Sequence, residues 1–146
     1  MSAAKGRSLF VTIFGVLGIA WFAVHAFEYM HARYDGLSAL VPLSPPFGLA
    51  ELFATMPHWA GLTLTVTIWL GLLGAFLLLL GDRASVLVLS LTLLVALATC
   101  VWGVMAFLEG AGPMGQVDPL LFGLGHAAVA LGLWLYARTA KRYGTL

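Results

Sequence analysis

Residues 57–108 read PHWAGLTLTVTIWLGLLGAFLLLLGDRASVLVLSLTLLVALATCVWGVMAFL, and Asp82 and Arg83 are their only Asp, Glu, Lys or Arg residues. The apolar run on each side of this pair is longer than the roughly 18 residues that a helix needs to cross a bilayer. Gly81 precedes the charged pair, and the three residues together leave room only for a tight turn. The segment therefore predicts two antiparallel transmembrane helices joined by a very short connection.

Two further windows without Asp, Glu, Lys or Arg, 8–27 and 119–137, lie on either side of this pair of helices. The chain has 146 residues, of which 62% are hydrophobic and 9% charged, whereas soluble domains carry about 25% charged residues. This composition excludes a soluble fold, and the small number of basic residues excludes a nucleic-acid partner.

Within lipid, only helices and closed barrels satisfy the backbone hydrogen bonds, and the four windows lack the period-2 alternation of barrel strands. We therefore predict an all-α integral membrane four-helix bundle that forms a single transmembrane domain over residues 1–146. Its predicted spans lie at about 8–30, 57–80, 84–108 and 119–137.

The basic residues predict the orientation of the bundle. With the N-terminus inside, Arg33 alone of the seven Lys and Arg residues lies outside, and Asp82 alone of the six acidic residues lies inside. Because cytoplasmic loops carry an excess of Lys and Arg, both termini are expected in the cytoplasm. Lys5 and Arg7 contribute to this count at the N-terminus.

The connection between spans one and two, residues 31–56, is expected to contain a short amphipathic helix. Ser44-Pro45-Pro46 has the composition of a helix start. Apolar residues then recur at i, i+3, i+4 and i+7, with Glu51 off their stripe: Leu49, Leu52, Phe53 and Met56. This spacing predicts a helix that either lies on the outer membrane surface or covers the mouth of the bundle.

Small residues follow one face of each predicted span. Helices in lipid associate largely through such residues, because the surrounding hydrocarbon is as apolar as their side chains. We therefore assign these positions to helix packing: Gly15 and Gly18 in span one, Thr63, Thr67, Gly71 and Gly74 in span two, Thr99 and Gly103 in span three, and Gly125 and Gly132 in span four.

The candidate site lies in the outer half of the bundle. His25 and Glu28 share a face of span one at i, i+3, His126 lies some two turns into span four, and Glu109 ends span three. Ionisable groups are costly within a membrane and are therefore functional candidates. Together the four residues would form a site for a solute or a proton, or for a metal ion such as zinc or iron.

The alternative is structural. Glu28 and Glu109 would then be interfacial acids in headgroup water. His25 and His126 would be hydrogen-bonded by a threonine, by a backbone carbonyl or by each other.

The second half of the chain carries several short motifs. These are Met56-Pro57-x-Trp59-Ala60, Trp69-Leu70-Gly71, the charged turn at 82–83 and the closing Leu135-Tyr136-Ala137-Arg138. In these motifs residues 56–146 resemble a family of short bacterial four-span inner-membrane proteins that are often labelled "sugar transporter". The resemblance implies a multi-pass protein of the bacterial inner (plasma) membrane, and it supplies no catalytic residue and no substrate.

Two classes of function follow from these observations. In the first, the protein transports a small polar solute past His25 and His126, as an oligomer because four helices leave little room for a pathway. In the second, it is a non-catalytic accessory subunit of a larger membrane complex, and a metal-dependent membrane enzyme is a third alternative. We expect no catalytic residues and no cofactor other than a metal ion, with the lipid bilayer and further subunits as partners.

Overall fold

The computed structural model describes residues 8–34, 36–113 and 117–146. Within these residues the chain forms six helices: α1 (Leu9–Arg33), α2 (Leu37–Leu40), α3 (Ala50–Thr55), α4 (His58–Leu80), α5 (Ala84–Leu108) and α6 (Pro119–Arg142). Four of them, α1, α4, α5 and α6, are long and apolar enough to cross a membrane. The predicted all-α architecture is confirmed, and α1 and α6 continue slightly beyond the predicted ends of their spans.

The four long helices pack in chain order. Helix α1 packs against α4, α4 against α5 and α5 against α6, whereas α1 and α6 touch along a much smaller surface. The contact between α1 and α6, called the α1–α6 seam, is therefore packed less tightly than the three contacts between long helices that follow one another in the chain.

The end of the bundle that holds the α4–α5 turn and the start of α1 is called the terminal end. Here Gly81 ends α4 in the left-handed conformation with φ of 76°, which glycine adopts without strain. Arg83 donates from Nε to the carbonyl oxygen of Leu146, which places the C-terminus beside this turn. Lys5 and Arg7, two of the basic residues that predict a cytoplasmic N-terminus, lie outside the described residues.

Most of the predicted small residues lie at close helix contacts. A Cβ atom built on Gly15 would lie 2.8 Å from Leu79 Cα, and one built on Gly103 would lie 2.5 Å from the carbonyl oxygen of Pro119. Real Cβ atoms do not approach so closely, so only glycine allows α1 to meet α4, and α5 to meet α6, at these distances. The same test gives close contacts at Gly18, Gly71 and Gly74.

The predicted threonines link α4 to α5. Thr63 Oγ1 lies 3.1 Å from Thr99 Oγ1, which forms a hydrogen bond across the two helices. Thr67 is buried and donates to the carbonyl oxygen of Thr63 on its own helix. Hydrogen bonds of this kind contribute modestly to helix association in lipid.

On α6 the packing face differs from the predicted one. Gly132 is exposed, and a Cβ atom built there would meet nothing within 4 Å. Gly125 faces Trp21 loosely, at 3.8 Å. The tight contact instead uses Gly123, whose Cβ would lie 3.0 Å from Cys100 Cα. The difference comes from the rotation of α6 about its own axis. The face that carries Pro119 and Gly123 packs against α5, and Gly132 lies on another face.

The opposite end, called the distal end, is covered by the connection between α1 and α4. Leu49, Leu52 and Phe53 are buried there, whereas Glu51 is exposed. They belong to an apolar cluster that also includes Ala26 of α1, Ala60, Leu64 and Ile68 of α4, Trp102 of α5 and Phe122 of α6. The predicted amphipathic helix therefore exists as α3, and it covers the mouth of the bundle.

The start of this short helix was predicted too early. Ser44-Pro45-Pro46 precedes it, but α3 begins only at Ala50. The segment between them is held by a tertiary contact, because the Glu28 carboxylate of α1 accepts hydrogen bonds from the backbone N–H groups of Phe47 and Leu49. Sequence spacing within the loop carries no information about such a contact.

Candidate functional site

The structure brings His25 and His126 together across the α1–α6 seam near the distal end. Their ring centroids are 4.5 Å apart and the rings meet edge to face. Trp21, one turn before His25 on α1, lies 4.6 Å from the His25 ring and 5.5 Å from the His126 ring. We call these three rings the cluster, and we call His25 and His126 the histidine pair.

Each histidine is oriented by its own helix. His25 Nδ1 lies 2.7 Å from the carbonyl oxygen of Trp21, and His126 Nδ1 lies 3.1 Å from that of Phe122. A carbonyl oxygen only accepts, so the hydrogen belongs on Nδ1 in both rings. In the neutral tautomer the Nε2 atoms are then free to act as acceptors.

Two ring nitrogens of the cluster lack a hydrogen-bond partner. Trp21 Nε1 and His126 Nε2 are both buried, and neither has a partner within residues 8–34, 36–113 and 117–146. His126 as a whole has no exposed surface. A buried polar atom without a partner costs roughly 1–3 kcal/mol, so these two nitrogens, a donor and an acceptor on neighbouring side chains, are candidate contacts for a bound group.

Beside these rings lies a cavity of about 190 Å³. No described residue that lines it is charged, and the polar groups come mainly from the three rings of the cluster. The lining residues are Trp21 and His25 of α1, Phe47 and Leu49 of the covering loop, Val117, and Leu121, Phe122, Gly125 and His126 of α6. Among these Phe47 and Leu121 are exposed, so the cavity reaches the surface of the bundle on their side.

The seam is closed between this cavity and the terminal end. Phe14 of α1 and Tyr136 of α6 stack there with ring centroids 4.1 Å apart. Val11, Leu133 and Ala137 are buried in the same apolar cluster. The cavity is therefore a blind pocket within one half of the bundle.

Glu28 is buried next to the pocket but serves the loop. Its carboxylate accepts from Leu49 N at 3.2 Å and also from Phe47 N. Phe47 and Leu49 both line the pocket. Glu28 therefore holds one wall of the pocket in place. From the sequence it was expected to contact the ligand directly.

Glu109 does not join the other three predicted residues. It is the exposed C-cap of α5 and lies beside Trp59 and Trp102, along a separate depression. The reason is helix order, because α5 packs between α4 and α6, whereas the histidine pair lies at the α1–α6 seam.

A metal site with the usual number of ligands is not formed by the described residues. In that part of the chain no group of three or more His, Cys, Asp and Glu side chains could hold a metal ion. Zinc sites generally use at least three protein ligands. The histidine pair alone supplies two, with both Nδ1 atoms already bonded to carbonyl oxygens.

Several residues of the pocket were not predicted as site residues, although one sequence signal points to them. An aromatic residue precedes each histidine by four positions, Trp21 before His25 and Phe122 before His126. Residues four apart lie on the same helix face, so each pair presents an aromatic ring next to an imidazole. Phe47 and Leu49 have no comparable signal, because only the fold of the loop brings them to the pocket.

Comparison of the chain with protein-family models, with curated proteins and with solved structures finds no match. The fold and the pocket therefore define the class of protein by themselves. It is a small multi-pass α-helical membrane protein with a blind, mainly apolar pocket that contains two histidines.

Proposed function

We propose that this protein binds a small molecule in the outer half of its helix bundle, in the pocket beside His25 and His126. The observation that carries the proposal is the pair of buried, unpartnered ring nitrogens, Trp21 Nε1 and His126 Nε2, on side chains that line a cavity. A ligand with a suitable polar group would supply both of their missing hydrogen bonds. The proposal includes no catalytic step.

The lining changes the kind of solute we expect. A strongly polar solute such as a free sugar would leave most of its hydroxyl groups unpaired against Leu49, Leu121 and Phe122, at a cost of a few kcal/mol for each buried unpaired group. A mainly apolar molecule with one polar group fits the lining better. We therefore propose an amphiphilic ligand rather than the highly polar one considered from the sequence.

The size of the pocket limits the ligand further. An apolar protein cavity of roughly 150 Å³ is sufficient to bind benzene. The pocket here, at about 190 Å³, therefore has room for a molecule with one ring and a small substituent.

Binding does not require a pathway through the bundle, and transport would. Phe14, Tyr136 and their apolar neighbours fill the seam between the pocket and the terminal end. If the ligand is also transported, the step that follows binding is the opening of the α1–α6 seam, since α1 and α6 share less surface than the long helices that are consecutive in the chain.

Filling the pocket tests the proposal. The wild-type protein and the variants Gly125→Leu and Gly132→Leu are placed in lipid nanodiscs, and fluorobenzene is titrated against them while its ¹⁹F NMR signal is followed. Gly125 lines the pocket, and Gly132 on the same helix faces open space. We expect saturable binding to the wild type and to Gly132→Leu, and at least about tenfold weaker binding to Gly125→Leu because leucine occupies the cavity.

Empty nanodiscs give the baseline for fluorobenzene that dissolves in the lipid. Equal signals from all three proteins after this correction, at the baseline or above it, would overturn the proposal, because fluorobenzene would then not depend on the space beside Gly125.

A further inference from the structure

The walls of the pocket point to an aromatic ligand. Trp21, Phe47 and Phe122 surround it together with the two imidazoles. His25 stacks near Phe47 with ring centroids 6.0 Å apart, and Phe122 lies 4.5 Å from the His126 ring. Aromatic rings prefer offset-stacked or edge-to-face neighbours at such distances, so a ring inserted here would find neighbours of both kinds.

The unpartnered nitrogens define the polar group of that ligand. Trp21 Nε1 can only donate a hydrogen bond, and His126 Nε2 accepts one because Nδ1 carries the hydrogen. A hydroxyl group accepts and donates through a single oxygen atom. The Trp21 and His126 side chains are neighbours, with ring centroids 5.5 Å apart, and both line the pocket, so one hydroxyl group is the simplest single partner for the two nitrogens.

Other polar groups fit less well. A carbonyl or ether oxygen would satisfy Trp21 and leave His126 without a partner, whereas an ammonium group would do the reverse. A carboxylate would enter a pocket without a charged lining residue among those described, and burial of an unpaired charge is very costly.

Building on the proposed binding function, we infer that the ligand is a monocyclic phenol, a single aromatic ring that carries a hydroxyl group. Its ring packs among Trp21, Phe47 and Phe122, and its hydroxyl accepts from Trp21 Nε1 and donates to His126 Nε2. The phenol is either a free small molecule or the ring of a lipid with a long tail. Leu121 is exposed on the pocket's open side, where such a tail would leave towards the bilayer.

The indole N–H groups provide a direct test. The chain has five tryptophans, so ¹H–¹⁵N spectra of the labelled protein in nanodiscs contain five indole signals, and the one missing from Trp21→Phe belongs to Trp21. Phenol, anisole and toluene are titrated separately, with corrections for their solubility in empty nanodiscs. Anisole accepts a hydrogen bond without donating one, and toluene does neither.

We expect phenol to move the Trp21 indole proton downfield and to bind about tenfold more tightly than toluene, with anisole between them, because two otherwise unpaired nitrogens gain partners. In His126→Phe the advantage of phenol over anisole should disappear. His58→Phe, which changes an exposed histidine at the start of α4, should bind all three compounds like the wild type.

A second variant keeps the test decisive if His126→Phe fails to fold. Trp21→Phe removes the donor, so binding of 4-fluorophenol, followed by its own ¹⁹F signal, should weaken towards that of fluorobenzene. Unchanged 4-fluorophenol binding in a folded Trp21→Phe variant would contradict the proposed hydrogen bond.

The remaining outcomes separate the inference from the function on which it rests. Equal affinities for phenol, anisole and toluene would overturn the phenol assignment and leave small-molecule binding intact. No saturable change at the Trp21 signal with any ring compound would overturn both. Comparison of phenol with 4-dodecylphenol distinguishes the two sources of the ligand. Tighter binding of 4-dodecylphenol indicates the ring of a membrane lipid, and equal binding indicates a free phenol.

Discussion

Glu28 is almost completely enclosed, with 1% of its surface exposed, and its carboxylate accepts backbone N–H groups from Phe47 and Leu49. From the sequence it is a candidate ligand, because an ionisable group within a membrane is costly. The tertiary structure gives it another use, since the carboxylate fastens the covering loop to α1. The two pocket walls that this loop supplies, Phe47 and Leu49, depend on that attachment.

Replacement of this carboxylate should release the loop. In Glu28→Gln one carboxylate oxygen becomes an NH₂ group, which cannot accept from a backbone N–H, so one of the two bonds is lost. A hydrogen bond to a charged group contributes about 1.5–3 kcal/mol, so amide hydrogen exchange at Phe47 and Leu49 should accelerate by about tenfold or more.

Glu51→Gln is the matched control for this experiment, because Glu51 lies in the same covering segment and its side chain is exposed. Exchange at Phe47 and Leu49 should not change in the control. If Glu28→Gln also left these rates unchanged, the carboxylate would not be what holds the loop.

At the scale of the helices, close approach depends on where glycine lies relative to the neighbouring backbone. Gly103 on α5 faces the carbonyl oxygen of Pro119 at the start of α6. That oxygen belongs to the backbone of α6 and cannot rotate away as a side chain would. Any side chain at position 103 must therefore push the two helices apart.

Gly103→Ala should consequently destabilise the protein. The added Cβ would lie 2.5 Å from Pro119 O, and such overpacking costs about 1–3 kcal/mol. Reversible unfolding in mixed micelles with increasing SDS measures this free energy. Gly132→Ala is the control on an open face, where alanine gains up to about 1 kcal/mol of helix propensity.

A Gly103→Ala variant as stable as Gly132→Ala would show that α5 and α6 can separate without cost. It would contradict the close contact that the structure places between these two helices.

At the scale of the whole molecule, the two ends of the bundle differ in charge and in construction. The terminal end carries the exposed basic residues Arg138, Lys141 and Arg142. The distal end carries the covering helix α3 and the opening of the pocket near Phe47. The distribution of Lys and Arg predicts that the terminal end faces the cytoplasm, so the pocket would open on the outer side.

Single cysteines can test this orientation. In a Cys100→Ala background, Glu51→Cys at the distal end and Arg142→Cys at the terminal end both present exposed positions. In intact cells a membrane-impermeant maleimide should label Glu51→Cys at once and Arg142→Cys only after lysis. The reverse pattern of labelling would place the pocket on the cytoplasmic side.

The sequence predicted the four long helices, and the structure places some of the candidate packing and site residues at helix contacts or beside the pocket and others elsewhere. Gly15, Gly18, Gly71, Gly74 and Gly103 lie at tight contacts, and His25 and His126 lie together. Gly132 and Glu109 do not take part, because their positions depend on how far each helix is rotated and on which helices are neighbours. Periodicity along one helix contains neither quantity.

Local sequence was sufficient for the membrane spans, because an apolar run of the right length crosses a bilayer whatever surrounds it. It was also sufficient for the tight α4–α5 turn and for the amphipathic character of α3. Tertiary structure alone decided that α1 and α6 meet along a loose seam, that Glu28 fastens the covering loop, and that Trp21 and His126 leave two nitrogens unpartnered beside a cavity. These features arise from contacts between residues far apart in the chain, and no short segment encodes them.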